Sequence, residues 1–226
     1  MPSATEAARD PDASRRQALA TTEACLLLLD EGRAQRVLHF STFHVYGGAS
    51  RTRYEESDVP TPGHPYGQIH LECERLVLAH PKTLVVRPTN LVGAPAHSDL
   101  GEQAKLLILD LAKQAAAGSI TLHNDGASYR DFVPFDDAID AVQRLISMDI
   151  TGERLFNLAR GQAQRLDEVA LLIQAVAGNK PTLNFGSGTD SFRQAFVVNN
   201  DRLRHLGWQP RASLAAEARR IVSFFA

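Results

Sequence analysis

Cysteine is almost absent. The 226 residues hold two, Cys25 and Cys73, too few for a disulfide framework. Both lie in helix-like runs and read as buried free thiols of a reducing compartment. Neither sign of charge dominates: 24 Lys and Arg against 26 Asp and Glu leave a formal net charge of −2. That balance gives no electrostatic reason to expect nucleic acid or an anionic membrane as partner. Long apolar runs are missing too. The longest, Ala24 to Leu29, is far too short for a bilayer span, and Met1 to Arg16 has no apolar signal-peptide centre. No repeat or low-complexity tract is visible. What is present suits a soluble, cytoplasmic globular chain. With 44% hydrophobic and 22% charged residues there is material for a core and too little charge for disorder.

Periodicity predicts helices over Gln17–Glu31, Tyr66–His80, Glu102–Ala117, Ala138–Met148, Leu166–Ala177 and Leu214–Phe225. Short apolar runs at 36–42, 83–88, 120–123 and 155–158 read as strands, the Pro88 ring standing at a strand end where it is tolerated. Pro60, Pro62, Gly63 and Pro65 mark a loop, as do Tyr46 to Ser50 and Asn90 to Gly101. Helices alternating with short apolar strands predict an α/β fold with a mainly parallel sheet.

The stretch from Phe40 to His70 carries the chemistry. A strand ends in Ser41-Thr42, a loop follows, and a helix opens at Tyr66. Ligands of open parallel sheets sit beyond the carboxyl ends of the strands, so Thr42 and Tyr66 are placed to share one crevice. A hydroxyl that donates to a substrate oxygen, beside a phenol that moves a proton, suits chemistry at a carbinol or carbonyl. A phenol of pKa near 10 needs a cation close by to work near neutrality. One turn on, the residue facing the same way is His70. His39, His44, His64 and His70 invite comparison with a metal site, but no pair has helical ligand spacing and no thiol or carboxylate accompanies them. No metal is expected. Asp136 and Asp137 read as the acidic first turn of a helix, and Trp208 as core.

Val37-Leu38-His39-Phe40-Ser41-Thr42-Phe43-His44-Val45-Tyr46-Gly47 resembles the signature of the extended short-chain dehydrogenase/reductases, the family of NAD-dependent nucleotide-sugar epimerases and dehydratases. Further segments fit in order: Pro65-Tyr66-Gly67 with Glu74-Arg75, Arg87-Pro88-Thr89-Asn90-Leu91-Val92-Gly93, Asn124-Asp125-Gly126 with Tyr129-Arg130-Asp131-Phe132-Val133, Phe156-Asn157-Leu158, and Leu206-Gly207-Trp208-Gln209-Pro210. The resemblance implies a doubly wound, Rossmann-like parallel sheet and a small mixed C-terminal substrate region. It implies Thr42 as catalytic hydroxyl, Tyr66 as acid/base, and His70 in the place of a lysine that the family sets beside the tyrosine. Asn90 and Arg130 are the implied substrate-binding residues, a guanidinium being well shaped for phosphate. The implied cofactor is NAD or NADP, and the implied substrate a nucleotide sugar or related small molecule.

The chain departs from the family in lacking a Gly-x-x-Gly-x-x-Gly turn, the element that cradles a dinucleotide diphosphate at a helix N-terminus. Ala7-Ala8-Arg9-Asp10-Pro11 resembles the segment after the family's fourth strand, so on the order of 60–75 residues of a dinucleotide-binding unit are expected to be absent. No residue of this chain is assigned to the cofactor. The expected architecture is a truncated Rossmann-like core over 1–90 and a substrate-binding region over 91–226, with parts near 119–160 packing back on the sheet. The sheet edge left open is expected to be covered by a homo-oligomer or a partner chain. Two functions follow: a redox-impaired member of the epimerase/dehydratase family, or a redox-dead descendant that binds a sugar, a nucleotide or a partner.

Overall fold

The computed structural model describes residues 1–48, 51–97, 106–149 and 151–226. In chain order the elements are α1 (Ala4–Arg9), α2 (Pro11–Asp30), β1 (Val37–Phe40), a 3-10 turn (Phe43–Tyr46), β2 (Arg53–Tyr54), α3 (Pro65–Ala79), β3 (Thr83–Pro88) and β4 (Asn90–Val92). Then come α4 (Leu107–Ala116), β5 (Ser119–Asn124), β6 (Tyr129–Arg130), β7 (Phe132–Pro134), α5 (Phe135–Ser147), β8 (Leu155–Leu158) and β9 (Gln164–Arg165). The chain closes with α6 (Leu166–Val176), β10 (Thr182–Gly188), β11 (Val197–Val198), α7 (Asp201–His205) and α8 (Leu214–Phe225). Of the helix expected over 102–117, residues 102–105 lie outside the described residues, as do Ala49 and Ser50 of the expected loop.

Two compact units form. One comprises residues 1–89, 140–159 and 198–209; the other 90–139, 160–197 and 210–226. The chain thus passes between units not only near residue 90 but again at 139/140, 159/160, 197/198 and 209/210.

The first unit carries the α/β parallel sheet, with strand order β1-β3-β8. Val37–Phe40 run beside Thr83–Val86, and Val85–Pro88 beside Leu155–Leu158, all parallel. Leu84, Val85 and Val86 are fully buried, the pattern of a strand covered on both faces. Among the described residues β1 forms ladder pairs with β3 alone. Helices α1, α2 and α3 pack through Ala7, Ala18, Ile69 and Cys73.

Helix α2 begins at Pro11, earlier than the periodicity predicts. The Asp10 carboxylate accepts from the Ala13 N–H at 2.9 Å, and Pro11 takes the first helical position, where its missing N–H costs nothing. The face it buries is small and hydroxylated, Ser14, Ala18 and Thr22, with Leu29 at its end. Leu19, Leu26 and Leu28 are only partly buried, and Cys25 is half-buried where burial is expected.

In the second unit β10 pairs with β5, parallel and with a register shift between Phe185 and Gly188. Parallel β4–β7 and antiparallel β6–β9 pairs complete it. Its core gathers Ile108, Leu111, Ile120, Phe132, Leu166, Ile173 and Ile221. Asp136 and Asp137 stand in the first turn of α5, and Asp137 accepts the Arg211 and Ala212 N–H groups.

Candidate functional site

The site in the first unit grows from the end of β1. The Ser41 N–H donates to the Val86 carbonyl at 2.8 Å, the last ladder bond before the chain turns. Thr42 is extended (φ −155°, ψ 151°) and caps the 3-10 turn, its side chain accepting from the His44 N–H. Gly47 closes that turn at φ 83°, in the left-handed region that side chains avoid. Helix α3 starts against this turn: a Cβ at Gly67 would meet the His44 carbonyl at 2.7 Å and Pro62 at 2.9 Å. Glycine permits that approach, and it brings Tyr66 to Thr42. The Thr42 hydroxyl pulls the phenol pKa down against a larger upward push from burial; the net direction is up.

His70, one helical turn beyond, sets its ring edge-on to Tyr66, with centroids 4.5 Å apart. It is only 3% exposed. Burial, followed by the neighbouring His39 and the N-terminal charge, lowers its pKa to about 4, so the ring is neutral at pH 7. Neither ring nitrogen has a partner, and the same holds for His39 Nε2 and Ser41 Oγ. His39 and Ser41 share a face of one strand segment, and the His39 ring lies 6.5 Å from that of His70. Unpaired buried polar atoms are costly, and four of them belong to His39, Ser41 and His70.

Two further imidazoles surround Tyr66. His64 stacks on it at 17° and 6.1 Å, and His44 meets it edge-on at 5.7 Å. The nearest nitrogens of His44 and His64 are 3.4 Å apart. Among the described residues no group of three His, Cys, Asp or Glu side chains could hold a metal ion.

Behind this face lies a network that the sequence signalled only as separate motifs. Arg87 and Glu74 form a fully buried, two-pronged ion pair. The Arg87 guanidinium lies 4.7 Å from the centre of the Tyr46 ring. The Tyr46 hydroxyl donates to Asn157 Oδ1 at 2.7 Å, and the Asn157 N–H donates to Glu56 at 2.8 Å. Burial pushes the Tyr46 phenol up to about 12, which makes it a hydrogen-bond donor and not an acid. Tyr46, Glu74, Arg87 and Asn157 each belong to a motif run, and together they brace the sheet. Trp208 is fully buried.

Asn90 and Arg130 lie in the second unit. The Asn90 backbone N–H and side-chain amide both donate to the Asp131 carbonyl, at 3.1 and 2.9 Å. The Asp131 carboxylate takes the N–H groups of Arg160, Gly161 and Gln162. The Arg130 guanidinium donates to Asp190 at 2.5 Å and to the Tyr129 carbonyl at 2.8 Å. Asp190 is thus an ion-pair partner of Arg130.

Comparison with known proteins places these features. A family model described as "NAD dependent epimerase/dehydratase family" matches residues 4–159. A dTDP-6-deoxy-L-talose 4-dehydrogenase (NAD(P)(+)) of Kitasatospora kifunensis is 30% identical over 199 residues, covering 82% of this chain and 61% of its own. Low-salt glycan biosynthesis protein Agl12 of Haloferax volcanii is 23% identical over 184 residues, 79% of this chain and 57% of its own. This chain therefore spans about three-fifths of their length. Among solved structures, UDP-N-acetylglucosamine 4-epimerase of Methanobrevibacter ruminantium in complex with UDP-N-acetylmuramic acid superposes with a TM-score of 0.88 at 16% identity, covering 100% of this chain and 74% of that one. RMD of Pseudomonas aeruginosa complexed with NADPH superposes at 0.83 with 24% identity, covering 100% and 78%. These likenesses establish the fold.

Proposed function

We propose, from the premise that this chain belongs to the NAD-dependent epimerase/dehydratase family, that its first unit holds and orients the hydroxyl groups of a sugar and carries no hydride chemistry by itself. The observation behind this reading is the neutral, unpaired imidazole of His70 beside Tyr66. A phenol that exchanges protons near neutrality needs a neighbouring positive charge. Tyr66 instead has its pKa raised by burial and only the Thr42 hydroxyl to oppose that. The hydroxyls of Thr42 and Tyr66 are donors and acceptors suited to a polyol.

A nicotinamide dinucleotide is the group the family implies, NAD or NADP. The residues present do not fit it. The 226 residues contain no Gly-x-x-Gly-x-x-Gly turn for the diphosphate, and the ring beside the phenol is uncharged at neutral pH. No reaction step is therefore assigned to such a cofactor here. Nucleotide sugars are the ligand class suggested by the methanogen epimerase, whose complex contains UDP-N-acetylmuramic acid. Among the described residues no helix is long and apolar enough to cross a membrane.

The test is fluorescence titration of the purified chain with NADH and NADPH. The expected result is no saturable binding at micromolar concentration; a micromolar dissociation constant defeats the reading. A second reading, an enzyme completed by a separate glycine-rich unit, is favoured by the Thr42 hydroxyl that acts on Tyr66 and by the single-sided pairing of β1. Such a unit, or a second copy of the chain, would lie along that strand. It predicts turnover in a mixture of both polypeptides, and more turnover with His70→Lys.

A further inference from the structure

In the second unit two arginines stand beside aromatic rings. Arg130 lies with its guanidinium 5.4 Å from the Phe192 ring, and Arg165 lies 6.0 Å from the Tyr129 ring. Strand pairing sets Tyr129 opposite Arg165. Arg193 is close enough to feel the charge of Arg165, as is Asp125. Guanidinium groups beside aromatic faces are the composition of a site for a phosphorylated, ring-bearing ligand.

Each of these arginines is already engaged by a carboxylate. Arg193 grips Asp125 with two nitrogens, at 3.0 and 2.8 Å. Arg165 holds Asp167 at 2.6 Å. Arg130 holds Asp190 at 2.5 Å. The Arg193 and Arg165 pairs draw Asp125 and Asp167 below the usual carboxylate range, so those two are firmly ionised. Each of the three guanidinium groups is matched by its own carboxylate.

Asp190 is the member that is built in. Its carboxylate also lies 3.3 Å from the Ser128 hydroxyl and accepts the Ser191 N–H at 2.7 Å. The segment it begins is pinned by the Tyr129 N–H, which donates to the Phe192 carbonyl at 2.8 Å. Phe192 sits at φ 62°, a left-handed conformation that a bulky side chain adopts only when its surroundings enforce it. The strained residue is the one that lays its ring under Arg130.

We propose that Asp190 determines specificity by occupying Arg130 with an internal carboxylate, so that the second unit rejects nucleoside diphosphates and pyrophosphate esters. This rests on the reading of the chain as a sugar-binding member of its family, and it narrows the ligand from nucleotide sugars to sugars or polyols without a diphosphate. A diphosphate approaching Arg130 must displace the Asp190 carboxylate, and like charges brought together oppose binding strongly.

The experiment is calorimetric titration of inorganic pyrophosphate, and separately of UDP, into the full chain. The wild type is compared with Asp190→Asn, Asp190→Ser and the double variant Arg130→Ala/Asp190→Asn, each checked by circular dichroism. The wild type should show no saturation at millimolar ligand. Both single variants should gain affinity about tenfold or more, and the double variant should lose that gain. Tight binding by the wild type overturns the proposal, as does a single variant no better than wild type. So does a gain that survives removal of Arg130. Loss of the fold in both single variants would assign Asp190 a purely structural role and overturn it equally. None of these readouts involves Tyr66 or a nicotinamide, so failure here leaves the first-unit reading standing, and the reverse.

Discussion

His70 meets Tyr66 edge to face at 4.5 Å, and it does so as a buried imidazole whose pKa is lowered to about 4. An unfolded histidine titrates near 6.5. Between those values the unfolded chain takes up a proton that the folded chain refuses. The resulting stability is complete above about pH 6.5, falls as the pH drops, and levels off below about 4, a loss on the order of 3 kcal/mol. Urea denaturation at pH 7 and pH 5 should show a lower midpoint at pH 5. His70→Leu should flatten that difference and be no less stable at pH 7, since neither ring nitrogen has a partner to lose. An unchanged pH slope in the leucine variant would exclude His70 as its source.

Thr42 has two roles: its hydroxyl lowers the Tyr66 pKa, and its side chain caps the turn that begins at Phe43. Thr42→Val should move the Tyr66 ionisation still higher. Ultraviolet titration, with Tyr66→Phe identifying the transition, reads this directly. Loss of the cap should also cost about 1 kcal/mol.

The Glu74–Arg87 pair is buried on both sides, 3% and 2% exposed at the side chains. Glu74→Gln strands a buried guanidinium and should destabilise the chain by about 3–5 kcal/mol. Replacing both residues together, Glu74→Leu with Arg87→Met, should recover most of that. Chemical denaturation of the two variants decides it: equal losses would mean that the pair is not the source.

Gly47 combines φ 83° with a Cβ path blocked by the Thr61 carbonyl. Gly47→Ala should cost well over about 1 kcal/mol. Gly152 has nothing within 4 Å of its Cβ position, and Gly152→Ala should stay within about 0.5 kcal/mol. Thermal melts of the two alanine variants provide the comparison.

Local features were legible in the sequence. The parallel α/β sheet follows from apolar runs such as Thr83–Pro88, and Leu214–Phe225 forms the helix its periodicity predicts. Thr42, Tyr66 and His70 come together because a strand end and two helix positions a turn apart are short-range facts. Helix α1 and the first turns of α2 lie outside the predicted helices, although their signals are present: Ser3 and Glu6 form a reciprocal cap, and Asp10 precedes Pro11. Polar side chains on an outward face mask such helices from a hydrophobicity reading. Long-range pairings left no trace. Tyr46 finds Asn157 across 111 residues and Arg130 finds Asp190 across 60, and no local pattern encodes such a meeting.

Strand β1 has one flank whose amide and carbonyl groups are not used by any described neighbour. Its four residues, Val37, Leu38, His39 and Phe40, include no lysine, proline or acid to discourage an incoming strand. Wherever that rim is left to water, it is a template for adventitious sheet growth. Solutions of this polypeptide should therefore coagulate with rising concentration more readily than the modest net charge alone would suggest.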